Sequence, residues 1–314
     1  MNYHPSLLIY HPSFMQDTLP EESLERASRL EILVEDIPFI QQLVAKAQVS
    51  EGDIHALRPQ SGEDYLSLFH TPRYIEEIKE ICENLRDHES ATLNGTFLCK
   101  ESYIMACYAV GASIEAAKNA KQGKKSFAIV RPPGHHAHAD KSDGFCIFNN
   151  MAIAAEYLSR QGEKVLILDT DLHVGDGTLS YAAENPHIFY YSLGQEQLWP
   201  FIEQGDSENT HLEFLPESTT DELYIQTLER TIPPLIERFK PDIIAVSAGF
   251  DTFAMDYIDY RNTFQGGFCL SPKVYKTLWD IIDQSLIPYF VLLEGGYNPL
   301  SVSTGVMTFF DKKK

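Results

Sequence analysis

Five short apolar runs in this 314-residue chain are each followed at once by residues that bind metals or move protons. Phe127–Val130 leads into Arg131-Pro-Pro-Gly-His135-His136, and Val165–Leu168 leads into Asp169-Thr-Asp171-Leu-His173. Ile188–Tyr191 leads into Ser192-Leu-Gly, and Ile243–Val246 into Ser247-Ala-Gly-Phe-Asp251. Tyr289–Leu293 leads into Glu294-Gly-Gly-Tyr297. Asp171 and His173, two apart at a strand end, can point the same way, and Asp251 adds a third ligand from another run. Two carboxylates and one imidazole leave an open position. That is the form of a catalytic zinc site, where the metal polarises a carbonyl and activates water. Open coordination without cysteine also accepts iron(II) or cobalt(II). His135 and His136, on a Pro-Gly turn, can serve as paired general base and acid. Asp169 and Asp176 can orient these imidazoles and raise their basicity. Tyr297, beside Gly295 and Gly296, can donate its hydroxyl to a developing oxyanion.

Each feature has a plainer reading. A His-His pair on a turn is usually surface, and Gly-Gly-Tyr297 is usually a turn. Asp251 alone suits a helix N-cap. Asp169-x-Asp171 also opens magnesium-dependent phosphatases with an aspartyl nucleophile, but those want Thr or Val where His173 stands. Gly175 and Gly177 suggest a phosphate loop, which Asp176 between them disfavours. Taken jointly, the plainer readings become improbable.

Positioning these residues requires a particular framework. The runs are nearly continuous in hydrophobicity, as strands covered on both faces must be. Helical patterns alternate with them: Ala152–Arg160, Asp221–Phe239 and Pro272–Gln284. Pro233-Pro234 is expected to kink or split the second of these. The alternation predicts a three-layer α/β/α domain around a mostly parallel sheet, with ligands gathered at the carboxyl ends of the strands. The first 125 residues read as helical and looped, with a helix over Ser102–Ala120. Repeats, linkers and composition breaks are absent, so residues 1–314 read as one domain.

Composition narrows the function. Lys and Arg number 25 and Asp and Glu 45, giving a formal charge of −20. Such a surface repels phosphates, which argues against nucleic acid. A cationic partner suits it. The five cysteines form no CxxC pair, so neither a disulfide framework nor a thiolate zinc site is expected. No basic segment precedes a long apolar run, and no apolar stretch approaches membrane-spanning length. A cytoplasmic protein without membrane contact is the expectation.

Five blocks carry a family resemblance: RPPGHHA (131–137), GFCIFNN (144–150), DTDLHVGDGT (169–178), SAGFD (247–251) and LEGGYNP (293–299). In content and order they resemble the arginase/deacetylase superfamily, and within it the zinc-dependent histone deacetylases and acetylpolyamine amidohydrolases. The match covers about residues 100–300, with a weaker likeness around Pro20 to Leu30. The resemblance implies Asp171, His173 and Asp251 as zinc ligands. His136 with Asp176 becomes the general base and acid, His135 with Asp169 the electrostatic partner, and Tyr297 the oxyanion donor. Gly144 and Phe145 line an acyl-chain tunnel, with Trp199 as its other wall. A potassium ion is implied at Asp169, Asp171, His173 and Ser192. Val174 departs from the family, which usually has a second histidine there. Asp251-Thr-Phe-Ala-Met-Asp256 is similar to the acetylpolyamine amidohydrolases, yet Ile258 occupies the place of a gatekeeping glutamate in some relatives. Asp256 and Asp259 are expected near the tunnel mouth. The reading is a zinc-dependent hydrolase of small cationic acetylated amines, with acetyl-lysine protein deacetylation as the alternative. Monomer and homodimer both remain open.

Overall fold

The computed structural model describes residues 6–49, 56–202, 204–256 and 267–310. In chain order the elements are β1 (Leu7–Ile9), α1 (Pro38–Val49), β2 (Ala56–Leu57), α2 (Pro72–Asn84), β3 (Ala91–Leu93), β4 (Thr96–Leu98) and α3 (Ser102–Lys121). Then follow β5 (Ser126–Ala128), α4 (Asn150–Ser159), β6 (Val165–Asp169), α5 (Asp176–Ala182), β7 (Ile188–Gln195) and β8 (Thr210–Leu215). The remainder is α6 (Asp221–Phe239), β9 (Ile243–Ala248), α7 (Lys273–Ser285), β10 (Tyr289–Leu293) and α8 (Pro299–Phe310).

Eight strands form one sheet in the order β2-β1-β5-β10-β9-β6-β7-β8. Every neighbouring pair is parallel. Each residue of β5, β6, β9 and β10 is buried, which is why these strands read as unbroken apolar runs. From β5 to β6 the chain moves one way along the sheet, and from β8 through β9 to β10 it moves back. Right-handed crossovers therefore put α4 on one face and α6 and α7 on the other. Helix α3 packs on α4, and α8 on α7. The result is the expected α/β/α architecture.

The direction of travel reverses between β6 and β9. Their carboxyl ends open a crevice of the kind that binds ligands in such sheets. The hairpin of β3 and β4 stands apart from the main sheet.

Three expectations are corrected. Helix α6 runs unbroken through Pro233 and Pro234. The prolines are exposed, as are Glu229 and Arg230, whose carbonyls lose their helical partners and can be hydrated instead. Buried Leu228, Ile232 and Leu235 hold the inner face. The N-terminal region is also more than helix and loop, since β1 and β2 extend the main sheet. Finally, Pro272 caps α7 and does not fill its first turn.

Candidate active site

Backbone amides fix the carboxylates at the β6–β9 crevice. Asp169 ends β6, and its Oδ1 accepts from the Asp171 amide at 3.2 Å. Asp171 Oδ1 accepts from the His173 amide at 2.9 Å, and its Oδ2 from the Gly295 amide at 2.8 Å. Asp251 Oδ1 accepts from the Leu172 amide at 3.2 Å. Ligand-type atoms of Asp171, His173 and Asp251 thereby lie within 4.8 Å of one another, all buried. His173 Nδ1 is 3.2 Å from Asp171 Oδ1 and from Asp251 Oδ2. A Cβ on Gly295 would fall 2.4 Å from Asp171 Oδ2 and 2.6 Å from Asp251 Oδ2, so only glycine leaves this space.

The set fits a divalent metal on two observations. Asp251 Oδ2 is buried, and its polar neighbour at 3.2 Å is the ring of His173, itself a candidate ligand. The local field also favours positive charge: burial opposes it, yet Asp171 and Asp251 raise His173 to about 9. A second group, His135, Cys146 and Glu294, is equally compact. Its donors are already engaged. Glu294 Oε2 accepts from the amides of Gly134 and His135, at 2.7 and 3.2 Å, and Oε1 from Ser247 at 3.0 Å. Glu294 organises the histidine turn.

Each adjacent histidine meets its expected carboxylate. His135 Nδ1 lies 3.1 Å from Asp169 Oδ2, and His136 Nδ1 lies 2.8 Å from Asp176 Oδ1. Their environments push them apart. Burial alone would lower His135, but Asp171, Asp169 and Glu294 hold it well above the usual imidazole value. Burial, then the charge on His135, lowers His136 to about 3 despite Asp176. His136 is thus neutral at pH 7. His138 Nε2 also binds Asp176, at 2.9 Å. Gly175 and Gly177 serve packing: a Cβ on either would strike Asp169 or the Ala137 carbonyl.

These groups open onto a pocket of about 250 Å³ lined by Asn94, Gly95, His136, Asp143, Gly144, Phe145, His173, Trp199 and Tyr297. Gly144 and Phe145 have φ of +50° and +67°, the left-handed region. A Cβ on Gly144 would lie 2.5 Å from the His136 ring and 2.6 Å from the Trp199 ring. Phe145 and Tyr297 meet edge to face at 5.4 Å. The expected wall residues Gly144, Phe145 and Trp199 therefore share one pocket with His136, His173 and Tyr297.

Two further residues hold the Tyr297 loop. Arg29 Nε donates to the Gly296 carbonyl at 2.6 Å, and its Nη2 donates to the Glu294 carbonyl. Its guanidinium carbon is 4.6 Å from the Tyr297 ring centroid. Asp256 accepts from the amides of Tyr297, at 3.0 Å, and Asn298, at 3.2 Å. This corrects the placement of Asp256 at the mouth: it is fully buried and aimed at backbone. Burial raises it to about 7. Ile258 and Asp259 lie outside the described residues. Burial also raises the Tyr297 hydroxyl well above the phenol range, so it keeps its proton. Beneath the site, Ser192 Oγ is buried without a hydrogen bond, and Ser192 pairs in register with Asp169. Val174 is buried, and its Cγ2 would lie 3.2 Å from a Cβ on Gly194.

Sequence reasoning missed Arg29, Glu294 and His138 as site residues. His138 carried a signal in its spacing, two residues beyond His136. Glu294 carried one in its strand-end position.

A family model described as "Histone deacetylase domain" matches residues 23–312. Histone deacetylase 10, chloroplastic, of Oryza sativa subsp. japonica is 32% identical over 82% of this chain and 62% of its own length. Histone deacetylase 5 of Arabidopsis thaliana is 28% identical over 94% of this chain, which spans only 47% of that relative. An uncharacterised Synechocystis protein is 33% identical over 78% of this chain and 80% of its own. A crystal structure of the HDA15 HD domain superposes with a TM-score of 0.79, covering 96% of this chain and 89% of that one at 24% identity, a likeness of fold. Among the described residues no helix is long and apolar enough to cross a membrane. Five motif blocks, the strand-end site they build and a family match over nearly the whole chain agree: the chain belongs to the histone deacetylase domain family.

Proposed function

We propose that the chain is a zinc-dependent hydrolase that removes acetyl groups from amines, with small cationic acetylated amines as its substrates. The observation that carries this reading is the convergence of Asp171, His173 and Asp251 with His136 and Tyr297 on one pocket. Asp171, His173 and Asp251 would hold the zinc, which when bound polarises an amide carbonyl and makes a water more acidic. Iron(II) or cobalt(II) suits the same donors.

The chain's own residues do the rest. His136 commits Nδ1 to Asp176, which leaves Nε2 to take a proton from water. The same proton then passes to the leaving amine nitrogen, so His136 ends as it began. His135, whose Nδ1 lies 3.1 Å from Asp169 Oδ2, would stabilise negative charge that develops nearby. The protonated Tyr297 hydroxyl donates to the oxyanion. Phe145 and Trp199 exclude water from the acyl chain. The unsatisfied Ser192 Oγ, beside Asp169, supports a potassium ion there, with Asp171 and His173 completing the set.

Acetyl-lysine on a protein is the second reading, favoured by the names of the relatives, several of which are histone deacetylases. The deciding experiment compares kcat/KM for an N-acetylated diamine and an acetyl-lysine peptide on metal-loaded protein. A higher value for the diamine supports the small-amine reading, and a clear win for the peptide replaces it. Chelation is expected to abolish turnover and zinc to restore it. Asp251→Ala is expected to lose bound metal by elemental analysis, because three ligands leave none to spare. Full turnover in rigorously metal-free protein would end the mechanism.

A further inference from the structure

With Asp256 turned into the protein, Asp143 is the acidic residue lining the pocket among the described residues. We propose that Asp143 is a specificity-determining carboxylate at the pocket mouth, selecting acetylated amines that carry a second, protonated nitrogen. This rests on the deacetylase reading of the pocket and names the residue that would choose its substrate.

Geometry places and steadies the carboxylate. Asp143 immediately precedes Gly144, the residue pressed against His136 and Trp199. Its Oδ1 accepts from the Gly144 amide at 3.0 Å. The turn is closed by the Cys146 amide donating to the Asp143 carbonyl at 2.8 Å. Ser142 Oγ donates to the Leu93 carbonyl at 3.1 Å, tying this loop to the β3–β4 hairpin. The tip of that hairpin, Asn94 and Gly95, also lines the pocket.

The second oxygen is available at low cost. Asp143 Oδ2 meets Lys141 Nζ at 3.0 Å, with the lysine side chain 45% exposed and the aspartate 23%. Ion pairs this exposed contribute little, so a substrate ammonium can displace Lys141. Aromatic walls beside a part-buried carboxylate lower the effective dielectric and strengthen the new pair. The substrate then has its acetamide at the metal ligands, methylenes between Phe145 and Trp199, and its ammonium at Asp143.

The test compares a mono-N-acetylated diamine with a neutral isosteric acetamide at low salt. The parent protein is expected to favour the cation by about 5- to 30-fold in kcat/KM, the size of one such ion pair. Asp143→Asn can still accept from the Gly144 amide, and it is expected to bring the ratio close to one, mainly through KM. Lys141→Gln removes the competing cation and is expected to raise the ratio. Retention of the full preference in Asp143→Asn, or a lower ratio in Lys141→Gln, overturns the proposal. Calorimetric binding of the acetylated diamine to metal-loaded protein gives an independent readout. An unchanged Kd in Asp143→Asn would overturn the assignment even if turnover is intact. A weakened Kd without hydrolysis of any acetamide would uphold Asp143 and sink the hydrolase reading.

Discussion

Tyr297 meets Phe145 on its ring edge, Arg29 over its ring and Asp256 behind its amide. These contacts are made by its ring and backbone, so a change confined to the hydroxyl leaves them in place. Tyr297→Phe keeps the ring contacts and is expected to lower kcat about 100- to 1,000-fold, the loss typical of one oxyanion donor. Metal content should stay the same. Turnover within about threefold of the parent would reduce Tyr297 to a turn residue. The donors and imidazoles at this scale were legible because each follows an apolar run at once, and a parallel sheet brings strand ends together. Asp256 was not. Five residues beyond Asp251, its chain distance could not say whether the loop turns outward or back. Arg29 was hidden for the opposite reason, since 267 positions separate it from the Gly296 carbonyl it binds.

Helix α4 begins at a cap that depends on a histidine staying neutral. Asn149 Oδ1 accepts from the Ala152 amide at 2.8 Å, and the Asn149 amide donates to His70 Nε2 at 2.8 Å. Burial lowers His70 to about 3. Below the unfolded value near 6.5, the unfolded chain binds a proton that the folded chain refuses. Stability from this group is thus complete above about pH 6.5 and lost as pH falls toward 3, by up to about 1.4 kcal/mol per pH unit. His70→Gln keeps an acceptor but cannot titrate, so urea unfolding between pH 7 and 4.5 should show a shallower slope than the parent. Identical slopes would remove His70 from the account. Elements differed in legibility for similarly local reasons. The central strands declared themselves by burial on both faces. β1 and β2 have three and two residues, too few to show a period. β8 lies at the sheet edge and mixes buried and part-exposed residues, so it lacked the unbroken apolar run used to find strands. In α6 the sequence displayed two prolines but not that they would face water.

Across the whole molecule, one charged cluster joins the N-terminal segment to the sheet. Glu25 Oε1 lies 3.0 Å from Arg29 and 2.7 Å from Arg131, and Asp17 lies 2.6 Å from Arg131. Glu25 and both arginines are buried, so removing the acid leaves Arg29 without its carboxylate and Arg131 with Asp17 alone. Glu25→Gln is expected to cost about 3–5 kcal/mol in denaturant unfolding. It should also slow turnover, because Arg29 would lose its anchor beside the Tyr297 loop. A stability change below about 1 kcal/mol would show the cluster to be dispensable. The sheet order carries another consequence, for the sequence of events during synthesis. Among the described residues β10 is the last strand in chain order, yet it fills the place between β5 and β9. Until it emerges, the sheet exists as two parts, each with an open edge facing a vacancy. Such edges recruit strands from other chains. The segment that brings Tyr297 to the pocket is also the one that closes these two edges, so the pocket and the continuous sheet form from the same stretch of chain.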